Sequence, residues 1–308
     1  MSKQDKKKII ILLLVFVVTL ANVVYEKYIR KEPDFVSVTE KDLSDEEIQN
    51  PNYVHFINAG QGDSTLIQTS EGKFILIDAS TNSQSSKIVS YLEYAGVREI
   101  EYLFLTHPHE DHIGCADEVL ENFTVKNVVM TDRVEPTASF ERLVNALKES
   151  KEQHKTNVIK PEYLQTFDAD ALKITVVSDT SLYEDLNSSS ICLKISCGKT
   201  SLLFTGDAEK EVEKDIIKSG VDIASDIYKC AHHGSSTSNS QDFLDKVNPS
   251  VAVISCGEDN MYGHPHEEVL ELLYEKEIKV YTTYSDGDIV MSFDKDGFFK
   301  LEEFVVHN

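Results

Sequence analysis

The stretch Tyr102-Leu103-Phe104-Leu105-Thr106-His107-Pro108-His109-Glu110-Asp111-His112-Ile113-Gly114 limits what this chain can become more than any other. It joins a short apolar run, the pattern of a buried strand, to three imidazoles and two carboxylates within six residues. Donor groups this dense are costly to bury unpaired and suit a divalent metal ion. Ten histidines in the whole chain are too few for such clustering to be expected by chance, so the run reads as a metal site. His107 and His109 alternate along an extended segment and can face the same way, whereas Asp111 and His112 are adjacent and diverge. That arrangement serves two ions, one on the histidine pair and one on Asp111 and His112.

A group between the two ions is then required. Thr205-Gly206-Asp207 supplies a carboxylate at the end of an expected strand, after a glycine that permits close backbone approach. Alone, Gly-Asp is a common turn; beside the histidine run, Asp207 reads as the bridging ligand. Cys230-Ala231-His232-His233-Gly234-Ser235-Ser236 again sets histidines at a strand end. A histidine pair can be an ordinary polar loop, but with the first cluster either His232 or His233 completes the second ion and the other faces substrate. In Asn260-Met261-Tyr262-Gly263-His264-Pro265 the plain reading is a turn before a helix begun by the proline. The functional reading places His264 on the substrate side.

The 308 residues, 41% hydrophobic, are enough for a sizeable core. Residues 9–24 are apolar except for Thr19 and Asn22, and Lys3, Lys6, Lys7 and Lys8 precede them. A basic flank (1–8) before an apolar segment (9–25) marks an export signal or an uncleaved membrane anchor. The run is short of the ~20 residues that span a bilayer comfortably, and Thr19-Leu20-Ala21 is a weak cleavage site. The preferred reading is a single-pass anchor in the cell membrane with the rest of the chain extracytoplasmic, and the alternative is secretion after cleavage. The formal net charge of −23 disfavours broad adhesion to nucleic acid or anionic lipid. Any polyanionic substrate must therefore be gripped locally, by metal and by backbone donors such as those of 234–237. Cys115, Cys192, Cys197, Cys230 and Cys256 form no CxxC pair and read as small buried residues. Unpaired thiols fit a reducing compartment, which pulls against export.

Residues 26–50 are polar without periodicity and read as a stalk. From 51 to 308, strands are expected at 53–57, 65–69, 74–77, 125–130, 172–177, 190–196, 201–205, 223–230, 251–255 and 289–293. Helices are expected at 84–95, 140–153, 208–218, 241–247 and 267–274. Interleaving of this kind indicates a layered α/β domain.

Taken in order, Phe56-Ile57-Asn58-Ala59-Gly60-Gln61-Gly62-Asp63-Ser64, Leu76-Ile77-Asp78, the histidine run, Leu203-Phe204-Thr205-Gly206-Asp207, His232-His233-Gly234-Ser235 and Tyr262-Gly263-His264-Pro265 resemble the metallo-β-lactamase superfamily. The resemblance is strongest to the hydrolase domain of ComEC-type competence proteins and covers nearly all of 51–308. It implies an αβ/βα sandwich with the metal site at one edge of its two sheets. It also implies that Asp78 lies beneath the site and orients a ligand histidine, with Asp63 close by in a glycine-flanked turn.

Two departures stand out. Many members supply another histidine between the first cluster and the bridging aspartate, but here only His154 lies there, in a charged helical stretch. Its place is taken by Asn187-Ser188-Ser189-Ser190, so Asn187 is a supporting residue and the His107–His109 ion is the more open one. Asn58 stands where this branch often has aspartate. The resemblance implies hydrolysis by water activated on two divalent ions, zinc first and manganese as the alternative, with Asp111 and His264 acting in the chemistry. The expected substrate is a phosphodiester, single-stranded DNA or another phosphate ester. The alternatives are a small ester such as a choline-phosphate ester and an anchored, non-catalytic metal-binding module. No protein partner is inferred.

Overall fold

The computed structural model describes residues 48–302. The expected basic flank, the anchor at 9–25 and all but the end of the stalk lie outside the described residues. Among the described residues no helix is long and apolar enough to cross a membrane.

The chain first lays down β1 (Asn52–Phe56), β2 (Thr65–Gln68), β3 (Phe74–Ile77), β4 (Glu99–Leu105), β5 (Thr124–Met130) and β6 (Asn157–Ile159). It then builds a second sheet from β7 (Thr166–Ala169), β8 (Leu172–Val176), β9 (Leu193–Cys197), β10 (Thr200–Phe204), β11 (Ile227–Lys229), β12 (Val251–Ile254) and β13 (Lys279–Thr282), and returns to the first with β14 (Ile289–Phe293) and β15 (Phe299–Glu302). The strand orders are β15-β14-β1-β2-β3-β4-β5-β6 and β13-β12-β11-β10-β9-β8-β7. Pairing is parallel from β3 through β6 and from β10 through β13. Such strands need crossovers, and helices supply most of them.

Side-chain alternation sorts the apolar residues into three layers. Phe56, Phe104, Ile174, Leu202, Val253 and Met291 pack between the sheets. Leu66, Leu76, Leu103 and Val128 face outward to Ile88, Leu92, Val119 and Leu143 of the helices Ser85–Tyr94, Ala116–Asn122 and Ala138–Gln153. On the other sheet Leu203, Tyr228, Ala252 and Ile254 meet Val212, Phe243 and Leu273 of Lys210–Ser219, Gln241–Val247 and Glu267–Glu275. The order helix, sheet, sheet, helix is the expected αβ/βα sandwich. Each fully buried Leu, Ile or Phe in these layers contributes roughly 1.5–3 kcal/mol, and the strands buried on both faces, Phe-Ile-Leu-Ile and Val-Ala-Val-Ile, read as unbroken apolar runs.

Two expected strands are shorter than the sequence suggests. The one expected from 190 begins at Leu193, which leaves Ser190 in a loop, and the one expected from 223 is only Ile227–Lys229. Pro265 does not open the last long helix; that helix starts at Glu267.

His55, on the opposite face of β1 from Phe56, is buried with Nδ1 3.0 Å from the Tyr91 hydroxyl. Burial holds its imidazole down at about 4. A base depressed in this way binds fewer protons folded than unfolded, so its contribution is complete above about pH 6.5 and is lost as pH falls toward 4. The loss is about 3 kcal/mol and should be missing from His55→Gln, compared by urea unfolding of the chelator-treated proteins at neutral and mildly acidic pH. Equal slopes for the two proteins would show that another group is responsible.

Candidate metal centre

The site residues sit at the carboxyl ends of parallel strands: Asp78 after β3, Thr106 and His107 after β4, Asp207 after β10, and His232 and His233 after β11. Chain direction alone therefore gathers them at one edge of the sandwich, where α/β sheets place their ligands.

Asp78 is the deepest anchor. It adopts the left-handed conformation, φ 59°, which costs a non-glycine residue about 1–2 kcal/mol. Its carboxylate accepts hydrogen bonds from the Thr106 backbone N–H (2.8 Å), the Thr106 hydroxyl (2.8 Å) and His112 Nδ1 (2.8 Å). With Nδ1 committed as a donor, His112 turns Nε2 toward Asp207 Oδ1, 3.3 Å away. His233 is set the same way by backbone: Nδ1 donates to the Ser255 carbonyl at 2.9 Å, and Nε2 faces Asp111 Oδ2 at 3.2 Å. His232 and His233 are both left-handed, φ 51° and 53°. Asn239 pins this strained turn, accepting from the Ala231 N–H and donating to the Ala231 and Ser235 carbonyls.

His112 Nε2, His233 Nε2 and Asp207 Oδ1 are buried and have no hydrogen-bond partner. Three converging metal-donor atoms of this kind, met only by ion-pair approaches of 3.3 Å (His112–Asp207) and 3.2 Å (His233–Asp111), fit a divalent cation. A second group is formed by His107, His109 and Asp207. His107 Nε2 lies 3.0 Å from His109 Nδ1 and 3.8 Å from Asp207 Oδ2. Asp207 thus belongs to both groups. Gly206 makes that approach feasible: at φ +50°, a Cβ there would fall 2.9 Å from Thr106 Cβ and 3.0 Å from Ser190 Oγ.

Protonation in this cluster follows its charges. Burial opposes charge on His112, yet Asp207 and Asp78 outweigh it and hold the imidazole well above its ordinary range. His233 is raised against burial by Asp207 and Asp63. Burial works to raise Asp207, but His112 and His233 keep it well below the carboxylate range. His107 is depressed by its burial and then by His112, which leaves it neutral and ready to coordinate. A divalent ion would displace the protons on His112 and His233, so metal uptake should release protons.

The remaining expected residues fall as follows. Asp63 brings an oxygen within 4.8 Å of donor atoms of His112, Asp207 and His233. Its carboxylate is nonetheless clasped by Lys229 Nζ at 2.8 and 2.9 Å, and it lies 3.8 Å from His233 Nδ1, the nitrogen turned away from Asp111. It stands behind His233, in the turn that donates its N–H to the Asp111 carbonyl (3.0 Å). Lys229 stays charged there because Asp63 outweighs the opposing effect of burial. His232 is more open, with Nε2 3.7 Å from Asp207 Oδ2 and Nδ1 3.1 Å from the Thr237 hydroxyl. His264 has a buried, unpartnered Nδ1, and burial followed by its histidine neighbours lowers it to about 4. The Asn187 carbonyl accepts from the Ser190 N–H, and Asn187 Oδ1 is buried without a partner. Ser190 is the residue of that loop that reaches the centre, with its hydroxyl 3.3 Å from His107 Nδ1 and accepting from the Asp207 N–H at 3.1 Å.

The sequence alone does not mark Ser190, Lys229, Asn239 or Ser255 as residues of the centre. Only the Asn-Ser-Ser-Ser run, sitting where a histidine is usual, signalled the first. The expected phosphate cradle at 234–237 is not free: the amides of Ser235, Ser236 and Thr237 bond to the His232 carbonyl, His266 Nδ1 and the Ser235 hydroxyl.

The family model described as the metallo-β-lactamase superfamily matches residues 57–258. ComE operon protein 3 of Bacillus subtilis is 31% identical over 254 residues, covering 77% of this chain and 32% of that protein. Recombination protein 2 of Haemophilus influenzae is 29% identical over 249 residues, covering 79% and 29% respectively. The chain therefore spans about a third of the length of these competence-related, ComEC-type relatives. Among solved structures, the metallo-β-lactamase fold protein YhfI of Bacillus subtilis superposes with a TM-score of 0.55 at 12% identity, over 80% of this chain and 100% of that one.

Proposed function

This chain belongs to the metallo-β-lactamase superfamily of metal-dependent hydrolases, and from that membership we propose a two-metal phosphodiesterase. The observation that carries it is the sharing of Asp207 between two donor groups, one with His112 and His233 and one with His107 and His109. Asp111, 3.2 Å from His233 Nε2, adds a carboxylate to the first group. Zinc suits so many imidazoles, and manganese is the alternative. When bound, such ions supply Lewis acidity toward a phosphoryl oxygen and lower the pKa of water.

The chain's own residues do the positioning. Asp78 and the Ser255 carbonyl lock two imidazoles in the tautomer that leaves Nε2 free. Ser190 holds His107 and the Asp207 backbone in one register. His264, neutral beside His232 and His233, can donate a hydrogen bond to a phosphate oxygen without adding charge. Single-stranded DNA is the substrate we favour, supported by the competence and recombination relatives. The strongly acidic surface favours a small choline-phosphate ester as the second reading. We further propose a basic flank at 1–8, a single-pass anchor at 9–25, a stalk at 26–50 and an extracytoplasmic hydrolase domain at 51–308, with secretion after cleavage as the alternative.

The test is metal analysis of the full chain together with hydrolysis of single-stranded DNA, duplex DNA, cyclic nucleotides and choline-phosphate esters. Two ions per chain and turnover lost on chelation are expected, with Asp111→Ala lowering kcat/KM roughly 100-fold. Stoichiometric metal without metal-dependent turnover on any of these esters would sink the enzyme reading.

A further inference from the structure

A row of rings leads out of the metal centre along the loop after β12. His264 stacks on His233 with centroids 6.1 Å apart and planes at 21°, and Tyr262 stacks on His264 at 5.6 Å and again 21°. His232 and His266 close on His264 edgewise at 5.5 and 4.8 Å. The inner end of the row is buried, whereas Tyr262 is 60% exposed and its neighbour Met261 is 90% exposed.

An exposed tyrosine alone signifies little. This one is held in place. Asn260 Oδ1 accepts the backbone N–H of Tyr262 at 3.2 Å and of His264 at 3.0 Å, while its amide donates to the Gly257 carbonyl at 2.9 Å and to the His264 carbonyl. From the other side His266 Nε2 lies 3.2 Å from the Tyr262 carbonyl, and its Nδ1 accepts the Ser236 N–H at 2.9 Å. The loop is fixed to the His232–His233 turn before any ligand arrives, which removes ordering entropy from the cost of binding.

We infer that Tyr262 is a stacking platform for a nucleobase beside the scissile phosphate, and that it makes the site selective for single strands. The inference rests on the phosphodiester reading above. Two further facts favour a base as the occupant. The net charge of −23 removes the usual grip on a nucleic acid backbone, so affinity has to come from uncharged contacts. Stacking is such a contact, and every unpaired base offers a face for it, whereas duplex bases are already stacked on one another. A planar base on Tyr262 would continue the near-parallel row of His233, His264 and Tyr262. A quaternary ammonium group would call for a cage of aromatic faces rather than one exposed ring.

The experiment compares Tyr262→Ala and Tyr262→Phe with the wild-type full chain. Fluorescence anisotropy with chelator present would read binding of a short single strand and of the same strand with abasic sugars. Hydrolysis of both would be measured with metal restored. Tyr262→Ala should weaken binding and raise KM for the base-bearing strand about 10- to 100-fold, leave the abasic strand unchanged, and be rescued by Tyr262→Phe. Equal behaviour of Tyr262→Ala and wild type on the base-bearing strand would overturn the inference. So would an equal loss on the abasic strand, or a loss confined to a choline-phosphate ester. A wild type that prefers the base-bearing strand in binding yet cleaves neither supports the platform and defeats the hydrolysis reading. One that binds and cleaves both strands alike does the reverse.

Discussion

Replacing Asp207 by asparagine is expected to lower kcat/KM on a phosphodiester at least about 10³-fold and to reduce bound metal from two ions to one or none. Asparagine keeps the size and shape of the side chain but removes the negative charge that both donor groups share. Asp207 Oδ1 faces His112 Nε2 at 3.3 Å, and Oδ2 faces His232, His107 and His233 at 3.7, 3.8 and 3.9 Å. No other carboxylate among the described residues faces these four imidazoles together. An amide there can offer an oxygen to one group only, and its NH₂ turns two donor protons toward the other. Metal content by atomic emission, measured beside turnover, separates loss of the centre from loss of one catalytic step. An Asp207→Asn protein that retains two ions and wild-type turnover would remove the bridging role. Melting of the chelated proteins guards against a folding artefact: the two should melt alike in chelator, and the rise in Tm on adding metal should be larger for the wild type.

Much of this centre is legible in the sequence because strand order converts linear motifs into neighbours. An apolar run followed by His-x-His-x-Asp-His fixes both the strand and the donors at its end, and Gly206 before Asp207 marks a close approach between segments about a hundred residues apart in sequence. The choice between His232 and His233 was not legible. Both precede the same glycine, and only the Ser255 carbonyl, delivered by β12, shows that His233 turns its Nε2 inward. Ser190 was hidden for a related reason. Its β-type surroundings suggested a strand, but its N–H bonds to the Asn187 carbonyl and the Ile191 N–H bonds to the Thr106 carbonyl, which bends the segment across the centre before β9 begins. The buried Asp63–Lys229 pair joins two motifs 166 residues apart, and no local pattern announces it. Short edge elements such as β6 and β7 also escape a reading by periodicity, since three or four residues carry too little alternation to be told from a loop.

On the two-metal proposal, Asp78 is where stability and metal binding would be most tightly joined, and two substitutions should pull them apart. Asp78→Ala leaves the Thr106 N–H, the Thr106 hydroxyl and His112 Nδ1 without their common acceptor in a fully buried place. A loss of about 3–5 kcal/mol in unfolding free energy is expected, together with a fall of 10- to 100-fold in metal affinity. Asp78→Asn should differ in kind. Its amide oxygen can still accept from the Thr106 N–H, and the hydroxyl can rotate to accept from its NH₂, so much of the stability returns. The same NH₂ can no longer accept a proton from His112 Nδ1. His112 then gains more by carrying its proton on Nε2, the nitrogen that faces Asp207 at 3.3 Å, and in that tautomer it has no lone pair to give an ion. Asp78→Asn should therefore recover stability relative to Asp78→Ala while metal affinity stays low, as read by denaturant unfolding in chelator and by competition with a metal-binding dye. If affinity recovers in step with stability, Asp78 acts through packing alone and the tautomer argument fails.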